Sequence, residues 1–410
     1  MTTESFRPAD AAELVEIVAA SAAAGGSLAV VAGGSKAGLG RPVEAAARLD
    51  LGALTGIVDY QPEELMLTAR PATPLAEVAA LLAGRGQMLA FEPPGLAALC
   101  GTSGAVPTLG GTVAAGLAGP RRIRAGSARD HLLGLEAVSG RGERFKAGAK
   151  VVKNVTGYDL PKLIAGSFGT LAIMTEMTLK VLPAPEDAVT LVLPMAAAPA
   201  VAAMARLQAG PLEPTALAWL PSTLARAADL PDARDGALLV RFEGPDGALA
   251  DRVGRAEESG LGGCAAVLDL AHSQKLWNWI AEVVPILAPE SREVVWRLSV
   301  PPAAGAALLY DAVAGVGARG FIDWGGGLVW LAVPAEAGDD GGATALRALV
   351  ARNGGGHATL MRGPEPLRRR VPVFEPEAPG LAALSERVRQ GFDPLRLLNP
   401  GRMRGEETRP

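Results

Sequence analysis

The stretch VVKNVTGYDLPKLIAGSFGTLAIMTEMTLKVLP, residues 151–183, holds the densest fold information in this chain. Its last part, 170–183, is rich in Thr, Ile, Val and Leu and reads as extended chain, because such side chains pack well on a pleated surface. Just ahead, GYD and GSFGT place glycine and small residues where backbone turns sharply or meets a ligand closely. Pro183 and Pro185 then punctuate the sequence, and a domain boundary is expected there.

Two more glycine-rich stretches lie upstream. In VAGGSKAGLG, residues 31–40, an apolar strand runs into Gly33, Gly34 and Ser35. Successive glycines let backbone N–H groups converge on one anion; the Ser35 hydroxyl adds a donor and Lys36 adds charge. Alone, the stretch reads equally as a plain turn after a strand, and it matches neither a P-loop nor a Rossmann fingerprint. In PTLGGTVAAGLAGP, residues 107–120, Gly110, Gly111, Gly116 and Gly119 form another Gly/Ala loop. Together the two loops are suited to clasp a pyrophosphate from both sides.

Outward from these loops the chain reads as mixed α and β. Asp10 and Glu13 resemble a capping box before a helix with Leu14, Ile17 and Val18 on one face, ending near Gly25. Strands are expected at 27–34, 49–54 and 65–71, a helix at 75–86, and a hairpin at 132–148. Residues 187–375 alternate strand-like segments (188–194, 237–244, 265–271, 294–301, 328–334) with helix-like ones (199–209, 246–259, 273–286, 303–316, 343–352). That alternation implies an antiparallel sheet backed by helices. A last helix, 381–392, precedes FDPLRLLNPGRM. No internal repeat of fixed period is visible. The uncharged run 188–205 is interrupted by Pro194 and Pro199 and reads as a strand then a helix, not a membrane span.

These stretches make the chain similar to the vanillyl-alcohol-oxidase, PCMH-type, FAD-binding family. That family has a GG-[ST] loop, a Thr-initiated Gly/Ala loop like TLGGTVAAG, and KN-x-x-GYD followed by GS-x-GTL-x-I-x-TE; each is present in order within residues 5–185. AGPRRIRAGSARDHLLGLEAV, KNVTGYDLPKL, WRLSVP and FDPLRLLNPGRM narrow the likeness to the smaller FAD-binding subunits of bacterial glycolate oxidases (glycolate dehydrogenases). The resemblance implies an α+β fold: a PCMH-type FAD-binding domain, 1–185, of two α/β subdomains (about 1–55 and 56–185), an α+β cap domain with an antiparallel sheet, 186–375, and a segment, 376–410, returning to the FAD domain. It implies non-covalent FAD held by Ala32, Gly33, Gly34, Ser35 and Lys36 on one side and by Thr108, Gly110, Gly111 and Ala114 on the other. Tyr158 and Asp159, then Ser167, Gly169, Thr170 and Ile173, complete that set, with Asn399 approaching from the C-terminal segment. From the residues alone, Tyr158 and Ile173 also read as core, and Asn399 as a turn before Pro400. The partners implied are a larger paralogous FAD subunit, an iron–sulfur subunit and a small 2-hydroxy acid.

Composition and departures from the family bound the function. A formal net charge of −4 argues against a nucleic-acid partner. With only Cys100 and Cys264, the chain cannot by itself ligate an iron–sulfur cluster or a Cys-rich zinc site, and a reducing compartment is expected. No leader is apparent in MTTESFRPAD. A cytoplasmic site is expected, at most peripheral to the inner membrane through the complex. His131, His272 and His357 are scattered, no EHG-like motif is present, and no metal is expected. No His or Cys in 31–40 offers covalent flavin attachment. Arg297 in VVWRLSVP is the best carboxylate anchor for a 2-hydroxy acid, although an ordinary structural arginine fits as well; no catalytic base is identifiable. Residues 121–162 hold ten Lys/Arg against four Asp/Glu, a face for an acidic partner or a solvated hairpin. Two functions follow: an FAD-binding redox subunit of a glycolate dehydrogenase that passes electrons to an iron–sulfur subunit, or a non-catalytic structural subunit supporting a larger paralogue.

Overall fold

Capping and alternation in the first fifty residues build a small parallel sheet. In the computed structural model, which describes residues 4–102, 104–148, 158–245, 247–287, 293–335 and 338–405, β1 (Glu4–Phe6), β2 (Leu28–Val31) and β3 (Ala47–Asp50) pair in the order β1-β3-β2. The helix between the first two, Ala11–Ala24, starts where the Asp10 carboxylate accepts from the N–H groups of Ala12 and Glu13 (2.8 and 3.0 Å) and Glu13 accepts from Ala9 N–H (2.7 Å). It stops at Gly25, whose left-handed φ of +65° closes the last turn. Lys150, Lys153, Asn154 and Gly157 lie outside the described residues.

The chain divides into two compact units. The first comprises Met1–Ala118, Gly126–Ala184 and Pro372–Pro410; the second comprises Gly119–Ala125 and Pro185–Val371. Besides the parallel sheet, the first unit holds an antiparallel sheet of β4 (Ile57–Gln61), β5 (Met66–Ala69), β7 (Leu132–Ser139), β8 (Arg144–Gly148) and β9 (Ala172–Lys180), ordered β4-β5-β9-β7-β8. Short strands β6 (Gln87–Met88) and β10 (Leu182–Pro183) pair beside it. The expected extended run at 170–183 is thus the central strand, buried along nearly its whole length. Val138 and Ile173 from this sheet share a core with Leu14, Leu28 and Leu49 of the parallel layer and with Leu397 and Leu398.

The C-terminal segment returns to this unit along β2. Leu28 N–H donates to Leu397 O (2.7 Å), and Asn399 N–H donates to Leu28 O (2.9 Å). One difference from expectation lies in residues 107–120: the Gly/Ala loop contains a short helix, Leu109–Ala114. Thr108 caps it, and Leu109 and Val113, both fully buried, supply the apolar face that a loop would lack.

The second unit is one eight-stranded antiparallel sheet. Its strands are β11 (Asp187–Pro194), β12 (Ala216–Leu220), β13 (Ala237–Gly244), β14 (Ala266–Leu268), β15 (Val294–Ser299), β16 (Arg319–Asp323), β17 (Leu328–Val333) and β18 (His357–Arg362), in the order β14-β11-β13-β12-β16-β17-β15-β18. The order is palindromic. Each half is a β-α-β-β-α-β unit, with helices Ala197–Ala209 and Leu249–Glu258 in the first and Gly305–Val316 and Ala343–Arg352 in the second. The halves join edge to edge where Trp219 on β12 pairs with Ile322 on β16. The sequence shows no fixed period because the repeat is one of strand order, and its connections differ in length. Strands β12 and β16 were not expected: ALAWL lacks alternation, and RGFID is short. Among the described residues no helix is long and apolar enough to cross a membrane.

Candidate functional site

The two upstream glycine-rich stretches lie side by side in the first unit. Gly34 bridges Val106 in parallel fashion. A Cβ on Gly33 would collide with the Val106 carbonyl oxygen and come within 2.8 Å of Thr108 Cγ2, and one on Gly110 would meet Pro71 Cβ at 2.6 Å. These two glycines therefore let backbone pack against backbone. Gly34 is different: its φ is +76°, and a Cβ there would find Ala105 Cβ as its nearest neighbour, at 4.0 Å, so its open side leaves room for a ligand.

Around this junction lies a cleft of about 890 Å³, the open space at its mouth included. Residues 32–36 line it from the first loop, and Thr108, Gly110, Gly111 and Ala114 line it from the second. From the third stretch come Gly169 and Ile173, and from the C-terminal segment Asn399. Ser167 and Thr170 are buried next to it without lining it; Thr170 Oγ1 donates to Ser167 O at 2.7 Å. Tyr158 is 92% exposed and is neither core nor cleft wall. Asp159 caps the helix Leu160–Ile164, and its ion pair with Lys162 (2.7 Å) holds its carboxyl below the usual range.

Two cations, Lys36 and Arg402, line the cleft, and among the described residues no carboxylate does. Lys36 is 8% exposed; its Nζ reaches Ser35 Oγ (3.2 Å) and Gly95 O (3.3 Å). Arg402 Nη2 donates to Lys36 O at 3.0 Å, tying the C-terminal segment to the first loop. Asn399 ties together two further walls. Its Oδ1 accepts from Val30 N–H and its Nδ2 donates to Phe168 O, both at 2.8 Å; these fixed partners set the amide orientation. The Ser167 hydroxyl, in a residue 6% exposed, has no hydrogen-bond partner among the described residues. Positive charge and an open glycine suit a large dinucleotide with an anionic centre.

Sequence reasoning missed Arg402, Phe168 and Pro71. A basic residue three positions after Asn399 was the available signal for Arg402. Phe168 has a φ of +53°, a backbone state that its position between Ser167 and Gly169 does not reveal. The histidines do not converge. His131 is buried against Phe91 with Nδ1 3.2 Å from Lys180 O, His272 pairs with Asp269, and His357 begins β18. Among the described residues no group of three or more His, Cys, Asp and Glu is placed to hold a metal.

Much of the basic run at 121–162 is engaged within the chain. Arg121 pairs with Glu243 (2.9 Å), Arg124 with Glu213 (3.1 Å), and Arg144 and Lys146 with Glu136. Arg141 donates to the carbonyls of Gln390 and Gly391. Arg297 is in the second unit, where its guanidinium lies over the Trp324 ring, 4.8 Å from the centroid. Desolvation, then the charge of Arg122, pulls its pKa down to about 10, so it stays a cation at neutral pH.

A parallel layer and an antiparallel layer carrying a cation-lined cleft define a flavin-nucleotide-binding class of protein. Known proteins agree. Residues 5–148 match the family model described as FAD binding domain. The glycolate oxidase subunit GlcE of Escherichia coli (strain K12) is 35% identical over 373 residues, 91% of either chain. Glycolate oxidase subunit GlcD of Bacillus subtilis (strain 168) is 33% identical over 135 residues, 33% of this chain and 27% of that one. Among solved structures, p-cresol methylhydroxylase with substrate bound aligns with a TM-score of 0.75 at 14% identity, covering 98% of this chain and 88% of that one. The fold is thus the PCMH-type FAD-binding fold, in an α+β chain. The chain belongs to the family of FAD-binding oxidoreductase subunits that includes GlcE, and FAD is its cofactor.

Proposed function

We propose that this chain is the FAD-carrying redox subunit of a multi-subunit glycolate oxidase, acting beside a larger flavoprotein paralogue and passing electrons to an iron–sulfur subunit in the cytoplasm. The observation that carries the reading is the first-unit cleft, in which three glycine-rich stretches and the C-terminal segment meet around Lys36 and Arg402, with no facing carboxylate among the described residues. Bound FAD supplies reversible two-electron acceptance. Lys36 and Arg402 are the charges that would neutralise its pyrophosphate, with Gly34 giving the backbone room to approach. Asn399 would hold strand β2 and the Phe168 turn at a fixed separation, and Ile173 would pack against an apolar face. Among the described residues lining the cleft there is no carboxylate or imidazole to act as a base toward a substrate.

The test is an anaerobic absorption spectrum of the purified chain, reconstituted with FAD, before and after glycolate, alone and with its partner subunits. We expect flavin bands from the chain, and bleaching that requires the partners. Bleaching of the isolated chain would assign substrate oxidation to it. Flavin that never bleaches in a complex that turns over would favour the structural-subunit reading. A chain that takes up no FAD would overturn the proposal. Lys36→Met is expected to weaken FAD binding by about tenfold, the worth of one charge-assisted contact.

A further inference from the structure

A fully buried carboxylate lies at the root of the C-terminal segment. Asp393 follows directly on the helix Pro379–Phe392. Its Oδ1 accepts from Leu397 N–H and its Oδ2 from Leu398 N–H, both at 2.9 Å, so each oxygen is engaged by the turn 393–398. Among the described residues no cation pairs with it. Burial pushes its pKa up, against the opposing pull of those two N–H groups and of Arg389 and Arg396. A buried carboxylate without a paired cation costs the fold stability, so stability alone does not account for this residue.

What the carboxylate shapes leads to the cleft. Arg396, inside the turn, has a φ of +54°, a state that a non-glycine residue keeps only where contacts impose it. The two N–H groups bound to Asp393 come directly after it. Beyond the turn, Leu397 O and Asn399 N–H both bond to Leu28, which lays the segment along β2. Asn399 then joins Val30 to Phe168; Arg402 N–H donates to Asn399 O at 3.1 Å, and Arg402 Nη2 reaches Lys36 O. The hairpin β7–β8 forms the socket on the other side. A Cβ on Gly140 would lie 2.3 Å from Asp393 Oδ1 and 2.5 Å from its Cγ. The φ of Gly140 is not left-handed, so the close carboxylate, not the backbone, is what requires glycine there. Arg141 donates to the Gln390 and Gly391 carbonyls (3.2 and 3.1 Å), and Phe145 packs on Phe392 with ring centroids 5.9 Å apart.

We infer, on the reading of the first-unit cleft as the FAD site, that Asp393, seated against Gly140, is a positioning residue for the cofactor. By folding the turn 393–398 it sets where Asn399 and Arg402 stand at the cleft, and so how tightly FAD is held. Asp393 does not line the cleft, so it acts through those two residues. A displaced turn would withdraw the Arg402 charge and release the Phe168 carbonyl.

The experiment titrates the full-length protein with FAD by flavin fluorescence, well below the unfolding temperature of each variant, and follows amide hydrogen exchange at Leu28 and Val30 without FAD. Asp393→Asn keeps the shape and one acceptor but turns an amide N–H toward the second donor. FAD affinity should fall about fivefold or more in Asp393→Asn, further in Asp393→Ala, and by about as much in Gly140→Ala, where a methyl group displaces the carboxylate. Arg402→Met should lose about tenfold, and Asp393→Asn/Arg402→Met less than the product of the two single losses, because one residue acts through the other. A residue that only stabilises the fold would lower the unfolding temperature and leave the affinity of the folded protein alone. The Leu28 and Val30 amides, which donate to Leu397 O and Asn399 Oδ1, should exchange about tenfold faster in Asp393→Asn. FAD affinity within about twofold of wild type in both Asp393→Asn and Gly140→Ala would overturn the inference, as would fully multiplicative losses in the double variant. Unchanged exchange in Asp393→Asn would overturn it with or without FAD. Should Asp393→Asn fail to fold by circular dichroism, Gly140→Ala, which keeps the carboxylate, decides alone. A wild type that takes up no FAD would sink the flavin reading, and faster exchange in Asp393→Asn would then still leave Asp393 as the residue that places Asn399 and Arg402.

Discussion

Asn399 holds Phe168 in place: its Nδ2 donates to the Phe168 carbonyl oxygen at 2.8 Å across 231 positions of sequence. Both residues have positive φ, +43° and +53°, a backbone state that non-glycine residues adopt only where surrounding contacts hold it. Since Asn399 Oδ1 also accepts from Val30 N–H, one side chain joins strand β2, the turn before β9 and the C-terminal segment. Asn399→Ala leaves two partly buried backbone groups without partners and should cost about 2–4 kcal/mol. Urea unfolding measures that loss. Asn399→Asp keeps the acceptor but sets a carboxylate against a carbonyl, so it should be no more stable than the alanine variant. Greater stability in the aspartate variant would show that the Phe168 contact is dispensable.

The glycines of the first loop should not be equivalent. Gly33→Ala drives a methyl group into the Val106 carbonyl, where only backbone can yield. Gly34→Ala meets open space and carries only the left-handed penalty of about 1–2 kcal/mol. Thermal unfolding should therefore rank wild type above Gly34→Ala and Gly34→Ala above Gly33→Ala. The reverse order would show that the two loops do not abut.

Ser167 separates stability from cofactor binding. Its buried hydroxyl has no partner among the described residues. Ser167→Ala should leave the flavin-free protein unchanged or more stable by up to about 1 kcal/mol, and should leave FAD affinity within about twofold, because the hydroxyl lies behind the cleft wall. Differential scanning calorimetry without FAD and fluorescence titration with FAD give the two readings. A loss of FAD affinity of about tenfold would show that the hydroxyl reaches the cofactor after all.

Acid should loosen the C-terminal segment. Arg389, then Arg396, holds the Glu386 carboxyl below its ordinary range, and both pairs are 3.0 Å long. A carboxylate with a depressed folded-state pKa contributes its full stability above the unfolded value, about 4.3, and loses it as pH falls through the folded value. Asp393, buried while accepting from Leu397 and Leu398 N–H, has the opposite sign. Burial raises its pKa, so its ionised form costs stability as pH rises through that value. In Glu386→Gln, unfolding followed from pH 6 to pH 3 should lose part of the acid slope, about 0.5–1 kcal/mol for a partly exposed network. An unchanged slope would mean that these pairs contribute nothing.

Features that depend on local backbone and near neighbours were legible. The strand that runs into Gly33 and Gly34 was visible as an apolar run ending in glycines, although that pattern alone fits a plain turn as well as an anion-binding loop. The N-cap of Asp10 depends on contacts within four residues, and the central strand β9 announces itself through β-branched side chains. Tyr158 shows the limit of such reading: its place in a motif says nothing of its exposure, which packing elsewhere decides.

What the sequence determined by itself, then, was the set of turns, caps and apolar runs, and with them the family and its cofactor. What only the tertiary structure decided was which distant segments meet. The palindromic order of the eight-stranded sheet, Arg402 on the Lys36 carbonyl, the loop-to-loop packing at Gly33 and the seat of Asp393 against Gly140 all rest on pairings between residues remote in the chain. Local propensity is indifferent to such pairings. They are chosen by the burial and hydrogen bonding of whole layers, where a shift of one residue in register would turn Arg297 from the polar face into the core.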